Sequence, residues 1–184
     1  MAGARTKAAT KRARPTERAA TPEEVARGVF ARVTARDAKG TVEFAHPDIV
    51  DDFVAVGEFR GRDQVRGFFE EIFAAFPDFE IHVDRVVADD SCATVQWHAT
   101  GTFTGRPFQG IAATGKPAQI RGVDVMEIED GLIRHNTIYY DGAALARQVG
   151  LLPTAGSRTD RALLATFNAM TRLRARLSSR RTAR

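Results

Sequence analysis

The sequence predicts an α+β fold in which N-terminal helices pack on a curved antiparallel sheet. Three helical segments come first, and four long β-rich segments follow them, at 79–88, 92–104, 117–128 and 132–141. Helices grouped before strands favour an α+β fold over an alternating α/β fold. With 184 residues, of which 43% are apolar, the chain is long enough for one buried core and short for two.

The helical segments are recognised by their caps and their apolar spacing. The first begins with the capping-box pattern of residues 21–24, and Gly40 suits its C-terminal cap. A short helix is expected at 42–45, and a strand at 49–56. The helix that follows lies between Gly61 and Pro77, and its phenylalanines give it a broad apolar face.

Charge divides the chain into three parts. Residues 1–20 are rich in Lys, Arg, Ala and Thr, and we expect a disordered basic tail there. Residues 158–184 carry eight arginines and one acid, and predict a basic amphipathic C-terminal helix. The pocket domain between them, residues 21–157, has a net charge of −8. This acidic domain argues against a specific nucleic-acid-binding function.

The two basic ends leave several interpretations open. The arginine-rich segment 158–184 could serve as a solubilising tail, as a helix that docks on a protein partner, or as a contact with an anionic membrane. Neither a secretory signal pattern nor an apolar run long enough to span a bilayer is evident in the sequence, so a cytoplasmic location is expected. The single cysteine, Cys92, excludes an internal disulfide framework.

The last two strands are predicted to form a hairpin around a two-residue turn, Asp130-Gly131. Regular pairing outward from this turn predicts one mostly apolar face that also carries four polar side chains. Apolar walls with a few convergent polar groups are typical of a ligand pocket. The predicted pairs are Glu129 with Leu132, Ile128 with Ile133, Met126 with His135, Asp124 with Thr137, Gly122 with Tyr139 and Ile120 with Asp141.

A series of short motifs runs through the predicted domain in a fixed order. They are Gly61-Arg62-Asp63-Gln64-Val65-Arg66, Phe76-Pro77-Asp78, Thr100-Gly101-Thr102-Phe103-Thr104-Gly105, Gly110 with Ala113-Thr114-Gly115-Lys116, Asp130-Gly131-Leu132-Ile133, Tyr139-Tyr140-Asp141 and Gln148-Val149-Gly150-Leu151-Leu152-Pro153. In order and spacing the chain resembles the SnoaL-like polyketide or ester cyclases of the nuclear transport factor 2-like superfamily.

This resemblance implies a cone-shaped half-barrel, usually a homodimer, with a pocket between sheet and helices. The implied reaction is an intramolecular aldol closure of an aromatic polyketide ester, without a metal or an organic cofactor. The general acid/base of the family is an aspartate at the end of the last long strand, which matches Asp141. Two departures concern the chemistry: Phe103 replaces a histidine of many relatives, and residues 124–127 lack the histidine of characterised cyclases.

Each candidate site residue also has a structural interpretation. Asp141 is the candidate catalyst, but it could equally cap the helix that follows. His135 is a candidate donor or base, and Tyr139 a candidate substrate contact, yet both could simply pack on the sheet. Asp124, on an apolar strand face, must be paired, hydrogen-bonded or neutral; it is a candidate substrate contact or a buried partner of Thr137.

Three further assignments complete the predicted site. Trp97 and Phe103 share one strand face, and we predict that they contact substrate or fill the core. Met126 is assigned to the same pocket. The histidines show no metal-ligand spacing, so no metal is expected. The acidic pairs at 51–52 and 89–90 are interpreted as solvated charges.

Three functions remain open on the sequence. The first is a cofactor-independent cyclase or isomerase that acts on a hydrophobic, carbonyl-bearing small molecule. The second is a non-catalytic module that binds such a molecule in the same pocket. The third is an interaction protein that presents the helix of 158–184 to a partner. Epoxide hydrolysis and ketosteroid isomerisation also occur on relatives of the fold.

Overall fold

The computed structural model describes residues 19–182, in which helices pack against one six-stranded, curved sheet. The helices are α1 (Pro22–Thr34), α2 (Ala38–Thr41), α3 (Gly61–Ala75), α4 (Gly142–Gln148) and α5 (Arg158–Thr182). The strands are β1 (Ala45–Phe53), β2 (Gly57–Arg60), β3 (Glu80–Ala88), β4 (Cys92–Thr102), β5 (Pro117–Glu129) and β6 (Leu132–Tyr140). A single 3₁₀ turn, Val42–Phe44, joins α2 to β1.

The sheet has the strand order β2-β1-β6-β5-β4-β3 and is not closed into a barrel. Neighbouring strands are antiparallel except β1 and β6, which run parallel. Helices α1 and α3 cover one face, where α1 contacts β3 and β4 and α3 contacts β1. The predicted α+β class, with helices packed on a curved sheet, is confirmed.

The N-terminal helices follow their caps, with one difference. Thr21 Oγ1 accepts from the amide of Glu24 at 3.3 Å, and the Glu24 carboxylate accepts from the Thr21 amide at 2.8 Å, as the capping box predicts. The prediction that Gly40 ends this helix is wrong, because α1 already ends at Thr34 and Gly40 lies within α2. Arg36 reverses the chain with a positive φ of 56°, and Asp37 caps α2.

The strand predicted at 49–56 corresponds to the second half of β1 and the turn that follows it, and β2 was not predicted. The short helix predicted over 42–45 is the 3₁₀ turn Val42–Phe44, and β1 then runs from Ala45 to Phe53. A turn then leads to β2, which pairs back on β1 from Val50 to Phe53. From Ile49 to the end of β1 the buried residues are Ile49, Asp51 and Phe53, so the alternation of the strand places an acid on its inner face.

The β5–β6 hairpin begins as predicted and then shifts by one residue. Asp130 and Gly131 both have positive φ angles, 51° and 77°, and the pairs Glu129 with Leu132 and Ile128 with Ile133 are confirmed. Glu127, however, pairs with His135, because Arg134 is inserted as a β-bulge. The remaining predicted pairs are therefore wrong. They are replaced by Met126 with Asn136, Val125 with Thr137, Asp124 with Ile138, Val123 with Tyr139 and Gly122 with Tyr140.

The bulge has a packing cause. Ile133 and Ile138 are both almost fully buried, at 3% and 2% exposed, although they are an odd number of positions apart in the sequence. Two such positions face opposite sides of a regular strand, so one extra residue is needed to bury both. The insertion turns Asn136 and Tyr140 toward the helices, and it leaves Tyr139 on the outer face of the sheet.

Helix α5 extends the chain beyond the sheet and leaves its apolar stripe uncovered. Five large apolar side chains of this helix are each more than half exposed: Leu163, Leu164, Phe167, Met170 and Leu173. Within residues 19–182, no helix is long and apolar enough to cross a membrane. Of the predicted tail, residues 1–18 lie outside the described residues, and the three predicted segment boundaries stay predictions.

The hairpin turn gives the first testable prediction. Replacing Gly131 by alanine should lower the free energy of unfolding by about 1 kcal/mol or more, because alanine is strained at positive φ. Its new Cβ would also lie 3.1 Å from the amide nitrogen of Ala20. Urea denaturation measures the change.

Gly67→Ala is the matched control for this substitution. Gly67 lies inside α3, and a Cβ added there meets nothing within 4 Å. Alanine should raise the free energy of unfolding by about 1 kcal/mol, because it favours the helix more than glycine does. Equal effects of the two substitutions would contradict the positive φ assigned to the turn.

Candidate functional site

A cavity of about 120 Å³ lies between the inner face of the sheet and helices α1 and α3. Its wall is strongly aromatic, because β1, α3 and the loops after α3 and β4 all contribute phenylalanines. Six of them line it: Phe53, Phe68, Phe69, Phe76, Phe79 and Phe108. Such a wall offers flat apolar contacts and no hydrogen bonds, so the few polar groups in the cavity decide how a ligand is oriented.

Three polar side chains meet at one end of this cavity. Asp124 of β5 is 7% exposed, and its Oδ1 accepts a 2.6 Å hydrogen bond from the indole Nε1 of Trp97 on β4. Its Oδ2 accepts a 3.1 Å hydrogen bond from Nδ2 of Asn136 on β6. All three side chains line the cavity. Neighbouring strands therefore hold one carboxylate between two donors.

A second acid lies behind this group, out of contact with the main cavity. Asp51 of β1 is 3% exposed, and its Oδ1 accepts a 2.9 Å hydrogen bond from the same Asn136 Nδ2. Asp51 lines a separate inner chamber of about 40 Å³, which Asp124 and Asn136 also line. Asp124 and Asn136 thus belong, with Val33 and Phe69, to the wall that the cavity and the chamber share.

Burial shifts the pKa values of both acids upward. The pKa of Asp124 is raised to about 6, mainly by desolvation, while the hydrogen bonds from Trp97 and Asn136 act in the opposite direction. The pKa of Asp51 is raised to about 7 by desolvation and then by the charge of Asp124. A carboxyl group with a pKa near neutrality can both take up and release a proton at cellular pH.

The cavity holds one further group that could donate a proton or a hydrogen bond. Tyr140 lines the cavity wall near Leu145 of α4, and burial raises the pKa of its hydroxyl. A neutral phenol in an apolar wall is a suitable donor to a carbonyl or enolate oxygen.

Four of the predicted site residues lie on the inner side of the sheet, in three different places. Trp97 and Asp124 line the main cavity. Met126 is 1% exposed and lines the inner chamber. Phe103 is 2% exposed and belongs to a neighbouring apolar cluster, where its ring stacks on Phe76 at a centroid distance of 5.1 Å.

The other three predicted residues lie elsewhere. His135 and Tyr139 fall on the outer face of β6, because the bulge at Arg134 reverses the expected alternation. Tyr139 is 53% exposed. Asp141 is exposed and caps α4, where its Oδ1 accepts from the Ala144 amide at 2.8 Å. The expectation that these side chains converge with Asp124 is therefore wrong, whereas the catalytic roles assigned to them stay predictions.

Sequence reasoning missed Asp51, Asn136 and Tyr140. The interpretation of Asp51 as a solvated charge is wrong, since it is almost fully buried beside Asn136. Its signal was the alternation Ile49, Asp51, Phe53, in which an acid occupies an apolar face. Regular pairing through the whole hairpin places Asn136 and Tyr140 on the outer side of the sheet, so the sequence pattern does not indicate them.

The position of the Trp97 ring depends on a glycine. A Cβ at Gly122 would lie 2.2 Å from Cζ2 of the Trp97 indole, so any larger residue there would displace the ring. Gly122 pairs with Trp97 across β4 and β5, two residues before Asp124 on the same face. The glycine thus gives the indole N–H its access to the carboxylate.

Metal binding has no candidate site in the part of the chain that the structure describes. No three side chains among its histidines, cysteines, aspartates and glutamates are grouped so that they could hold an ion. The buried pair of Asp51 and Asp124 shares an amide donor, Asn136, in place of a cation.

Comparisons with known proteins agree with this architecture. A family model described as SnoaL-like polyketide cyclase matches residues 24–149. The chain belongs to the SnoaL-like polyketide cyclase family. No protein among the curated sequences matches it significantly.

Solved structures share the family fold at low identity. A candidate SnoaL-like polyketide cyclase from Jannaschia sp. CCS1 is 21% identical, covers 72% of this chain and 93% of its own, and has a TM-score of 0.65. AclR, a candidate hydroxylase from Streptomyces galilaeus, is 22% identical over 85% of this chain and 94% of its own, with a TM-score of 0.64. A protein with a ketosteroid isomerase-like fold from Catenulispora acidiphila, in complex with trimethylamine, is 17% identical. It covers 71% of this chain and 95% of its own, with a TM-score of 0.59.

The single tryptophan of this family member allows a direct test of the cavity. Trp97 is the only tryptophan in the chain, and its N–H bonds the Asp124 carboxylate. Its emission should therefore change as the pH passes through about 6, where Asp124 gains or loses its charge. A fluorescence titration of the unliganded protein measures the midpoint.

Two variants control this titration. Asp124→Asn should remove the transition. Asp141→Asn should leave it in place, because asparagine also caps a helix and Asp141 lies outside the cavity wall. A transition near pH 6 that persists in Asp124→Asn would show that another group titrates beside the indole.

Proposed function

We propose that this chain is a cofactor-independent enzyme of the cyclase or isomerase type that moves a proton on a hydrophobic, carbonyl-bearing small molecule. The observation that carries the proposal is the Asp124 carboxyl group, which is buried at the end of an aromatic cavity with a pKa raised to about 6. Family membership supports this class of reaction. The acid/base role moves from Asp141 to Asp124, because Asp124 is the acid that lines the cavity.

The proposed step is the removal of a proton from the carbon next to a carbonyl group. The C–H bond breaks, the proton passes to a carboxylate oxygen of Asp124, and the electron pair moves onto the carbonyl oxygen as an enolate. The protonated Asp124 can then return the proton to carbon or to oxygen. Trp97 and Asn136 hold the carboxylate in place, since each donates a hydrogen bond to one of its oxygens.

The enolate needs a donor, and Tyr140 is the residue we assign to it. Tyr140 lines the same cavity, and the raised pKa of its hydroxyl keeps it protonated at neutral pH. A hydrogen bond that strengthens as negative charge develops on the substrate oxygen lowers the barrier of the proton transfer.

The size of the cavity limits the substrate. A volume of about 120 Å³ is close to the roughly 150 Å³ that holds a benzene molecule in an engineered protein cavity. A second pocket of about 260 Å³ adjoins it, and the two share Phe76, Phe108, Tyr140 and Leu145. We propose that one ring of the substrate lies beside Asp124 and that the rest extends into this outer pocket.

Proton exchange on a model ketone tests this function. The probe is 2-tetralone in D₂O, and the incorporation of deuterium at its α-carbon is followed by NMR. The wild-type protein should accelerate exchange above the buffer rate, and Asp124→Asn should lose about 10²-fold or more of that acceleration, the usual contribution of a general base.

Asp141→Asn is the matched control for this assay. It removes the same charge from the other candidate acid and keeps a residue that can cap α4. It should retain exchange. Loss of exchange in Asp141→Asn, with retention in Asp124→Asn, would return the catalytic role to Asp141 and overturn the present assignment.

A non-catalytic binding module is the second candidate function. It is favoured by one observation: both oxygens of Asp124 already accept hydrogen bonds from the protein, as those of a purely structural carboxylate would. In that case 2-tetralone would change the Trp97 emission on binding, and no deuterium would be incorporated.

Helix α5 supports a third proposal, a contact outside the pocket. The helix exposes an apolar stripe, and the sequence from 158 to 184 carries a net positive charge opposite to that of residues 21–157. We propose that it contacts an anionic surface of a membrane or protein partner. We also propose that the chain forms homodimers through the outer sheet face, where Val87 and Tyr139 are exposed. A cytoplasmic location is proposed with it.

Deletion of residues 158–184 separates these contacts from the pocket. The truncated protein should keep its exchange activity and its dimer mass by light scattering. It should lose retention on vesicles that contain phosphatidylglycerol, while neither protein is retained on phosphatidylcholine alone. Equal retention of the full-length and truncated proteins would contradict a membrane contact through this helix.

A further inference from the structure

Two acids and one amide form a closed polar group inside the domain. Asp51 and Asp124 are each more than nine-tenths buried, and both accept from the same Nδ2 atom of Asn136. Two ionised carboxylates in this position would repel each other across a single neutral donor. The arrangement therefore favours a state in which one of the two acids keeps its proton.

The side-chain carbonyl oxygen of Asn136 indicates which of the two acids keeps its proton. Asn136 Oδ1 is buried and accepts no hydrogen bond from the described residues, although burying a carbonyl oxygen without a donor is costly. Both oxygens of Asp124 already accept hydrogen bonds, from Trp97 and from Asn136. For Asp51 the structure gives one accepted bond, at Oδ1, so its second oxygen can carry a proton.

We propose that Asp51 stays a neutral carboxylic acid while Asp124 is ionised, that its O–H donates to Asn136 Oδ1, and that it acts through Asn136 as a positioning residue for the Asp124 carboxylate. The acid and the amide then form a two-bond pair, with Asn136 Nδ2 donating to Asp51 Oδ1 and Asp51 Oδ2 donating to Asn136 Oδ1. This pair holds the amide so that its second N–H points at Asp124.

The groups around Asp51 are consistent with a neutral acid. The titratable groups that face it are Asp124 on β5 and Asp52 on its own strand, and both carry negative charge that disfavours ionisation of Asp51. The other walls of the inner chamber are apolar, apart from Thr41 of α2, whose hydroxyl donates to Ala38 O at 2.8 Å. Helices α1 and α3 contribute only apolar side chains there: Val29, Phe30, Val33, Val65 and Phe69.

The pKa values agree with this order of ionisation. Asp124 has the lower value, about 6, and Asp51 the higher, about 7, which its burial and the charge of Asp124 produce. Asp124 thus becomes the anion that faces the cavity, while Asp51 retains its proton. The protonated state of Asp51 requires no ligand. Its consequence for catalysis rests on the proposed function, in which Asp124 is the base.

Carboxyl ¹³C NMR of the full, unliganded chain tests the proton directly. Wild type should show one aspartate carboxyl that titrates near pH 7, and Asp51→Asn should remove that titration. In Asp124→Asn the midpoint of Asp51 should fall, because the nearby negative charge is gone. Asp52→Asn is the matched control: it removes a charge from the neighbouring position on β1 and should leave a titrating Asp51 signal.

Stability measurements supply a second readout with a definite sign. Because the pKa of Asp51 is raised on folding, its contribution to stability is present below about pH 4 and is lost as the pH rises through about 7. Asp51→Asn should show a smaller loss of stability over this interval, because its amide stays neutral and can form the same two bonds with Asn136. Asp51→Leu should unfold more easily than Asp51→Asn at pH 5, since it leaves both polar groups of Asn136 without that partner.

The pH profile of 2-tetralone exchange distinguishes the two proposals. If both hold, ionisation of Asp51 above about pH 7 reduces the wild-type rate, and Asp51→Asn lacks that decrease. Absence of exchange in every variant would overturn the proposed function, while the NMR titration would still test the proton of Asp51. A titration near pH 7 that survives in Asp51→Asn, or no aspartate titrating above about pH 5, would overturn the present inference.

Discussion

The whole site depends on one constraint, which is the burial of both Ile133 and Ile138 on the same strand. Their odd separation cannot be accommodated by regular pairing, and the bulge at Arg134 is the response of β6 to it. Every residue of β6 after the bulge therefore faces the side of the sheet opposite to the one that regular pairing predicts. Asn136 and Tyr140 reach the interior for this reason, and His135 and Tyr139 lie outside.

The polar group that results is unusual for a domain core. Burying Asp51 and Asp124 costs free energy that apolar residues of the same size would not require. Both oxygens of Asp124 accept hydrogen bonds, Asn136 Nδ2 donates to both acids, and the glycine at 122 makes room for the Trp97 donor. Sites where a fold departs from an apolar core in this way are commonly functional, which is consistent with a proton-transfer role at the edge of the cavity.

Strand alternation in the sequence predicts part of the candidate site. Trp97 and Asp124 could be assigned to the pocket from strand alternation, because β4 and β5 pair without a bulge over their whole length. Asp51 was within reach of the same reasoning, as it alternates with Ile49 and Phe53, but an acidic pair is more often solvated. Asp141 satisfied the family pattern, and the structure gives its carboxylate a local task as the cap of α4.

The sequence by itself determined the family and the longer elements, since caps, glycine turns and apolar periods act over a few residues and their order along the chain is preserved. It determined the turn at Asp130-Gly131 and the first two pairs of the hairpin for the same reason. Only the tertiary structure decided the parallel pairing of β1 with β6, the position of the bulge and the meeting of Asp51 with Asn136, 85 residues apart. These depend on which side chains fill a shared core, and that is a property of the packed sheet and helices together.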